Sequence, residues 1–190
     1  MVATFKATAA ASASILVGAT VSTKAFPGDT QAQANAAFAS ATGRPRLSYR
    51  GYFTPGSFPI NANGSVDLTQ QGISTAAASG MKVVVSFKPA FNPPSQTDYN
   101  KIVTVLTAYQ AAGLIADVGL WHEPENPSTG MSAAQYATMS EFYAGAVKQF
   151  FPFVSILTYW SVSGDPQNFT SYFNAVTPGT FSKAYIDFYC

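Results

Sequence analysis

Apolar positions along this chain alternate between two spacings, short β-branched runs and longer segments whose apolar residues recur three and four apart. Ile15 to Ser22 is the first such run, and behind the turn Phe26-Pro27-Gly28-Asp29 a helical pattern carries Ala34, Ala37 and Phe38 until Gly43 stops it. Arg46 to Phe53 predicts a second strand. Asp67 to Ser79 predicts a helix with Asp67 as N-cap and Gly80 just past its end. Lys82 to Phe87 predicts a third strand, whose Val83-Val84-Val85 core is apolar to both sides, as a parallel strand covered on both faces would be.

The alternation continues to the last residues. From Thr97, a suitable N-cap, the residues Ile102, Val105, Leu106 and Tyr109 predict a helix that ends at Gly113, before a strand at Ile115 to Trp121. A longer helix, Ser132 to Phe151, puts Tyr136, Met139, Phe142, Tyr143, Ala146, Val147 and Phe150 on one broad face and stops at Pro152. Strand Val154 to Trp160, helix Gln167 to Ala175 and strand Ala184 to Tyr189 complete the series.

Strict β-α alternation predicts a parallel sheet, either open and doubly wound or closed into a barrel. The turn after the first strand lacks the Gly-rich fingerprint of a dinucleotide fold. Polar and aromatic residues instead gather behind several strands: Arg50 and Tyr52, Lys88, Trp121 to Glu125, Trp160, and Asp187 to Tyr189. That distribution favours a TIM-type (β/α)8 barrel, whose sites are assembled from many strand ends. The expectation is a single domain over residues 1–190, comprising about six β-α units of a barrel that lacks strands seven and eight. Residues 1–14 form a lead that is either unstructured or signal-like.

Composition narrows the function. The 190 residues are 47% hydrophobic and 10% charged, with net charge +1, so no electrostatic footprint for nucleic acid is present. No run approaches the roughly 20 apolar residues that span a bilayer. One cysteine, Cys190, and one histidine, His122, exclude an intrachain disulfide and a Cys/His metal cluster, and no cofactor is expected. Ten Tyr and two Trp supply flat surfaces that suit either sugar clefts or packing.

The chemistry concentrates in Trp121-His122-Glu123-Pro124-Glu125. Strand periodicity puts Gly119, Trp121 and Glu123 on one face and Val118 and Leu120 on the other. Glu123 beside an indole and a proline is then partly desolvated, which suits it to protonate a leaving oxygen. Arg50 and Lys88 are candidates for binding substrate hydroxyls or for an ion pair with Asp187 or Glu123. Trp160 is a sugar platform or a core residue. Asp187 and Glu125 are further carboxylates, and no Gly-x-Ser-x-Gly elbow exists for an α/β-hydrolase reading.

The run Trp121-His122-Glu123-Pro124 resembles the acid/base segment of retaining barrel glycosidases, and the His-Glu pair looks most like glycoside hydrolase family 26. Gly43-Arg44-Pro45 before a Tyr-rich strand, the helix from Tyr136 to Phe150 before a strand ending in Trp160, and Tyr185-Ile186-Asp187-Phe188-Tyr189 are similar to that family's order of elements. The resemblance implies hydrolysis of β-mannan or a related β-glycan with Glu123 as general acid/base. It makes His122 an ordering residue, Trp121 and Trp160 sugar contacts, and Tyr189 part of the wall. It implies a nucleophilic Glu on a seventh strand, a monomeric full-length protein that is extracellular or at the cell surface, and an inactive 190-residue piece. A non-catalytic sugar-binding or surface-interaction barrel, or a non-functional fragment, is the competing reading.

Overall fold

A computed structural model describes residues 48–160 and 166–189. The chain groups into Met1–Ser48 and Tyr49–Cys190, and the described residues belong to the second group, apart from Ser48 at the start of its leading strand. The first strand and helix expected between Ile15 and Gly43, and the expected lead 1–14, lie outside the described residues.

The local signals act where the sequence carries them, with shifts that have identifiable causes. Strand β1 is Ser48–Tyr52. Helix α1, Ile73–Ala78, starts six residues after the expected cap. Asp67 Oδ1 accepts the Thr69 N–H at 2.9 Å and the Thr69 hydroxyl at 2.7 Å, closing an Asx turn instead of capping a helix. Gln71 and Gly72 then take left-handed backbone, so helical geometry begins only at Ile73. Strand β2, Lys82–Phe87, has the expected bounds.

Helix α2, Gln96–Ala111, is capped by Ser95, whose hydroxyl accepts the Asp98 N–H at 3.3 Å. The cap lies two residues before the expected Thr97 because Pro93 and Pro94 bar the helix from extending further back. Strand β3, Asp117–Leu120, is shorter than the expected Ile115 to Trp121. Helix α3, Ala133–Val147, opens on a reciprocal capping box between Ser132 and Gln135. Strand β4 (Phe153–Trp160), helix α4 (Pro166–Ala175) and strand β5 (Lys183–Tyr189) follow.

The strands form one sheet in the order β1-β2-β3-β4-β5. Strands β2 to β5 pair parallel, with Val85 opposite Val118, Gly119 opposite Val154 and Trp160 opposite Tyr189. Right-handed crossovers in a monotonic strand order bring every helix to the same face. The packing agrees, since α2 lies against α3 and α3 against α4. That face of the sheet carries Val83, Val85, Phe87, Val118 and Leu120. They join Ile73 of α1, Ile102, Val105, Leu106 and Tyr109 of α2, and Tyr136, Met139, Tyr143 and Val147 of α3 in one buried core. Complete burial of an Ile, Leu or Met contributes about 1.5–3 kcal/mol. Gly51 admits α1 to the sheet, because a Cβ there would sit 2.9 Å from Ile73 Cγ1.

The (β/α)8-type barrel of about six β-α units is overturned. The described residues contain five strands and four α-helices, in a sheet whose end strands β1 and β5 have one neighbour each. Alternation specifies parallel crossovers, which open and closed sheets share. Closure depends on strand number, tilt and stagger, and local periodicity carries none of these.

The opposite face of the sheet is different in kind. Val84 and Ser86 of β2 lie level with Asp117 and Gly119 of β3, and all four are buried. It is the face of small and polar residues, and the candidate site grows from its end.

Candidate functional site

Strand β3 ends at Leu120 because the next residue leaves extended backbone. Trp121 has φ +49° and Glu123 has φ +58°, both left-handed, with His122 between them. Each such residue costs an L-amino acid about 1–2 kcal/mol. Two of them flanking one histidine mean that the surroundings hold this conformation in place.

The expected alternation of Gly119, Trp121 and Glu123 along one face is therefore corrected: the turn at Trp121 breaks the period-two pattern. The indole turns toward the neighbouring loop, is 5% exposed, and donates its Nε1–H to the Pro89 carbonyl at 2.7 Å. Phe91 meets the ring edge-on at 5.2 Å, and the Lys88 ammonium lies 5.2 Å from its centroid. The Trp121 N–H also donates to the Phe87 carbonyl, which ties the start of the turn to the end of β2.

His122 takes the position beside the polar face. Its Nδ1 is 3.1 Å from the Ser86 hydroxyl, and Tyr52, at the end of β1, meets the imidazole edge-on at 5.2 Å. The ring is buried while Tyr52 is 44% exposed, so the histidine is held between a strand hydroxyl and an aromatic that also faces solvent. Glu123 follows, half-buried, ahead of a buried Pro124.

The rest of this loop is held by its own side chains. Asn126 N–H donates to the Glu123 carbonyl at 3.2 Å, and Asn126 Oδ1 accepts the Ser128 N–H at 3.0 Å. The Thr129 hydroxyl donates to the Pro124 carbonyl at 3.0 Å and accepts the Met131 N–H at 3.1 Å. Tyr172 of α4 donates its hydroxyl to the Met131 carbonyl. Burial, and then the charge of Glu125, pushes that hydroxyl above the ordinary tyrosine range, so it stays protonated and able to donate.

The loop after β2 forms a second part of the region. Lys88, Pro89, Ala90, Phe91 and Asn92, with Pro55, Gly56, Asp98 and Trp121, line an open cavity of about 470 Å³. Asp98 Oδ2 accepts the Ala90 N–H at 2.9 Å, and Oδ1 lies 3.4 Å from Lys101 Nζ. The Tyr143 hydroxyl donates to the Ala90 carbonyl at 3.0 Å and accepts the Ser95 N–H at 2.9 Å. Burial pushes the Tyr143 hydroxyl upward, as does the charge of Asp98, against the opposing effect of its bond to Ser95.

Of the residues singled out in the sequence, Lys88 follows β2 and Trp121, His122 and Glu123 follow β3, with Lys88 and Trp121 in contact. Arg50, Trp160 and Tyr189 are placed by backbone and register alone, Trp160 opposite Tyr189 and Thr158 opposite Asp187. Ser86 went unnoticed in the sequence, although a lone hydroxyl inside Val83-Val84-Val85-Ser86-Phe87 was the available signal. Asp117, buried opposite Val84, was missed in the same way. Among the described residues no group of three or more His, Cys, Asp or Glu side chains is arranged to hold a metal ion. No helix among them is long and apolar enough to cross a membrane.

No family model, no curated protein and no solved structure matches the chain.

Proposed function

We propose that this protein hydrolyses O-glycosidic bonds of a polysaccharide, β-mannan or a related β-glycan, by a retaining mechanism in which Glu123 is the general acid/base. The observation that carries the reading is the strained Trp121-His122-Glu123 turn. Two left-handed residues are spent on presenting one half-buried carboxylate next to an anchored histidine, at a strand end flanked by an exposed Tyr52. The likeness of Trp121-His122-Glu123-Pro124 to the acid/base segment of family 26 glycosidases supplies the reaction class.

In this reading a second carboxylate, outside the described residues, attacks the anomeric carbon while Glu123 protonates the departing oxygen, and Glu123 then removes a proton from the water that hydrolyses the resulting glycosyl ester and frees that carboxylate. His122, positioned by Ser86 and Tyr52, orients the chain that carries Glu123. The secreted or cell-surface location belongs to the same proposal, since a polymeric substrate is met outside the cell.

The test is the leaving-group signature in the full-length protein. Glu123→Gln should lower turnover of a β-mannan by about 10²–10⁴-fold. Aryl glycosides, whose leaving groups need little protonation, should be affected far less. Unchanged turnover of the polymer removes Glu123 from the role. Binding of the polymer without turnover by the unmutated protein would favour a sugar-binding module instead.

A further inference from the structure

One hydroxyl interrupts the apolar run of β2, and it lies level with Gly119 of β3 on the polar face of the sheet. Ser86 is 0% exposed, so bulk water does not reach it, and the partner that the described residues give its Oγ is His122 Nδ1 at 3.1 Å. A hydroxyl carries one proton, and a neutral imidazole carries one N–H, on Nδ1 or on Nε2. The bond can therefore be made in two ways. If Nδ1 bears the proton, Ser86 accepts it and its own O–H is left buried without an acceptor, at the cost of desolvating that donor. If Nδ1 is bare, Ser86 donates to it, and the ring N–H lies on Nε2. Only the second arrangement satisfies the buried hydroxyl. The ring is also held against turning away: it is 7% exposed, Tyr52 meets it edge-on at 5.2 Å, and its backbone lies between the left-handed residues Trp121 and Glu123.

We propose that Ser86 is a positioning residue that donates to His122 Nδ1 and holds the imidazole as its Nε2–H tautomer. Neither ring nitrogen then has a lone pair left to take up a proton, since Nδ1 uses its own on Ser86 and Nε2 carries hydrogen. His122 acts as a fixed hydrogen-bond donor, and a group that meets Nε2 meets it through an acceptor atom such as a hydroxyl or carboxylate oxygen. For its consequence this rests on the glycosidase reading and deepens it: proton transfer at the turn is left to Glu123 alone, although a histidine stands next to it in the chain.

His122 is the only histidine of the 190 residues, and comparison with His122→Gln identifies its ring signals. Long-range ¹H–¹⁵N NMR spectra of the histidine-labelled full-length protein, recorded at about pH 8 where an ordinary imidazole is neutral, report which nitrogen bears hydrogen. The expected result is Nε2 alone. In Ser86→Ala the ring should relax to a mixture of tautomers, and turnover of β-mannan should fall at least about tenfold with KM little changed, as when a site imidazole loses the group that fixes its tautomer. Ser86→Thr, which returns a hydroxyl, should recover the single tautomer and most of the turnover. Hydrogen on Nδ1 in the unmutated protein overturns the proposal, as does a pure Nε2–H ring in Ser86→Ala. A changed tautomer with unchanged turnover overturns the part given to this bond in hydrolysis. Glu123→Gln separates the two readings. Undiminished hydrolysis in that variant, with Nε2–H intact, sinks the acid/base assignment and leaves the Ser86 bond. Loss of hydrolysis there, with hydrogen on Nδ1 in the unmutated protein, does the reverse.

Discussion

The loops after β2 and after β3 occupy equivalent positions in the sheet and are held in opposite ways. The β2 loop, from Lys88 to Pro94, is gripped from outside: Asp98 of α2 takes the Ala90 N–H, and Tyr143 of α3 bridges Ala90 and Ser95. The β3 loop, from Trp121 to Met131, is held largely by itself, through Asn126, Ser128 and Thr129, with Tyr172 added at its far end. External support leaves the first loop free to wrap around a cavity, because its own side chains are not used up in fastening it. Internal support allows the second to keep two left-handed residues on either side of His122, because each following turn closes against the one before it. One loop builds a container and the other aims a carboxylate, and Trp121 belongs to both.

That shared residue is where the comparison breaks most severely. Trp121→Ala should destabilise the protein by about 3–5 kcal/mol in chemical denaturation, since it removes a buried aromatic, its hydrogen bond to Pro89 and the seat of Lys88 together. If both loops depend on it, amide exchange should rise at Ala90 and at Asn126 alike. A loss under about 1 kcal/mol, below the range for a buried aromatic, would show that the two loops are independent.

Tyr143→Phe should act on one loop only. It deletes the hydroxyl that serves Ala90 and Ser95, and leaves part-buried backbone groups without that partner, at a cost of about 1 kcal/mol. Exchange should accelerate at Ser95 while the amides of Asn126 and Ser128 keep their protection. Equal acceleration in the β3 loop would contradict the separate anchoring of the two loops.

The smallest change in stability, and the sharpest, is expected at Glu123. Glycine occupies left-handed backbone without strain, so Glu123→Gly gains about 1–2 kcal/mol from relief of the φ of +58° and returns about 0.5–1 kcal/mol to chain entropy. The protein should be unchanged or up to about 1.5 kcal/mol more stable while losing the hydrolysis proposed for it. Marked destabilisation would mean that Glu123 serves the fold instead of the proposed acid/base role.

Much of the local structure was legible in the chain. Lys82–Phe87 could be delimited from its β-branched run, and Ser132 with Gln135 marks its helix start through a capping box that needs only neighbours in sequence. Local rules failed where other partners decide. Asp67 satisfies Thr69 instead of a helix, and α1 waits for Gly72. Period-two alternation stops at Leu120 because the Trp121 indole finds the Pro89 carbonyl, 32 residues away in sequence, and a continued strand could not deliver it there.

By itself, then, the sequence determined the β-α alternation, the helix start at Ser132 and the segment that bears His122 and Glu123, since periodicity and residue chemistry are properties of neighbours along the chain. Tertiary structure alone decided that the described strands lie in an unclosed sheet, that Ser86 and Tyr52 hold His122, and that Trp121 walls a cavity instead of flanking Glu123. Those outcomes depend on which buried donor meets which acceptor across the sheet, and that is settled only when the strands are side by side.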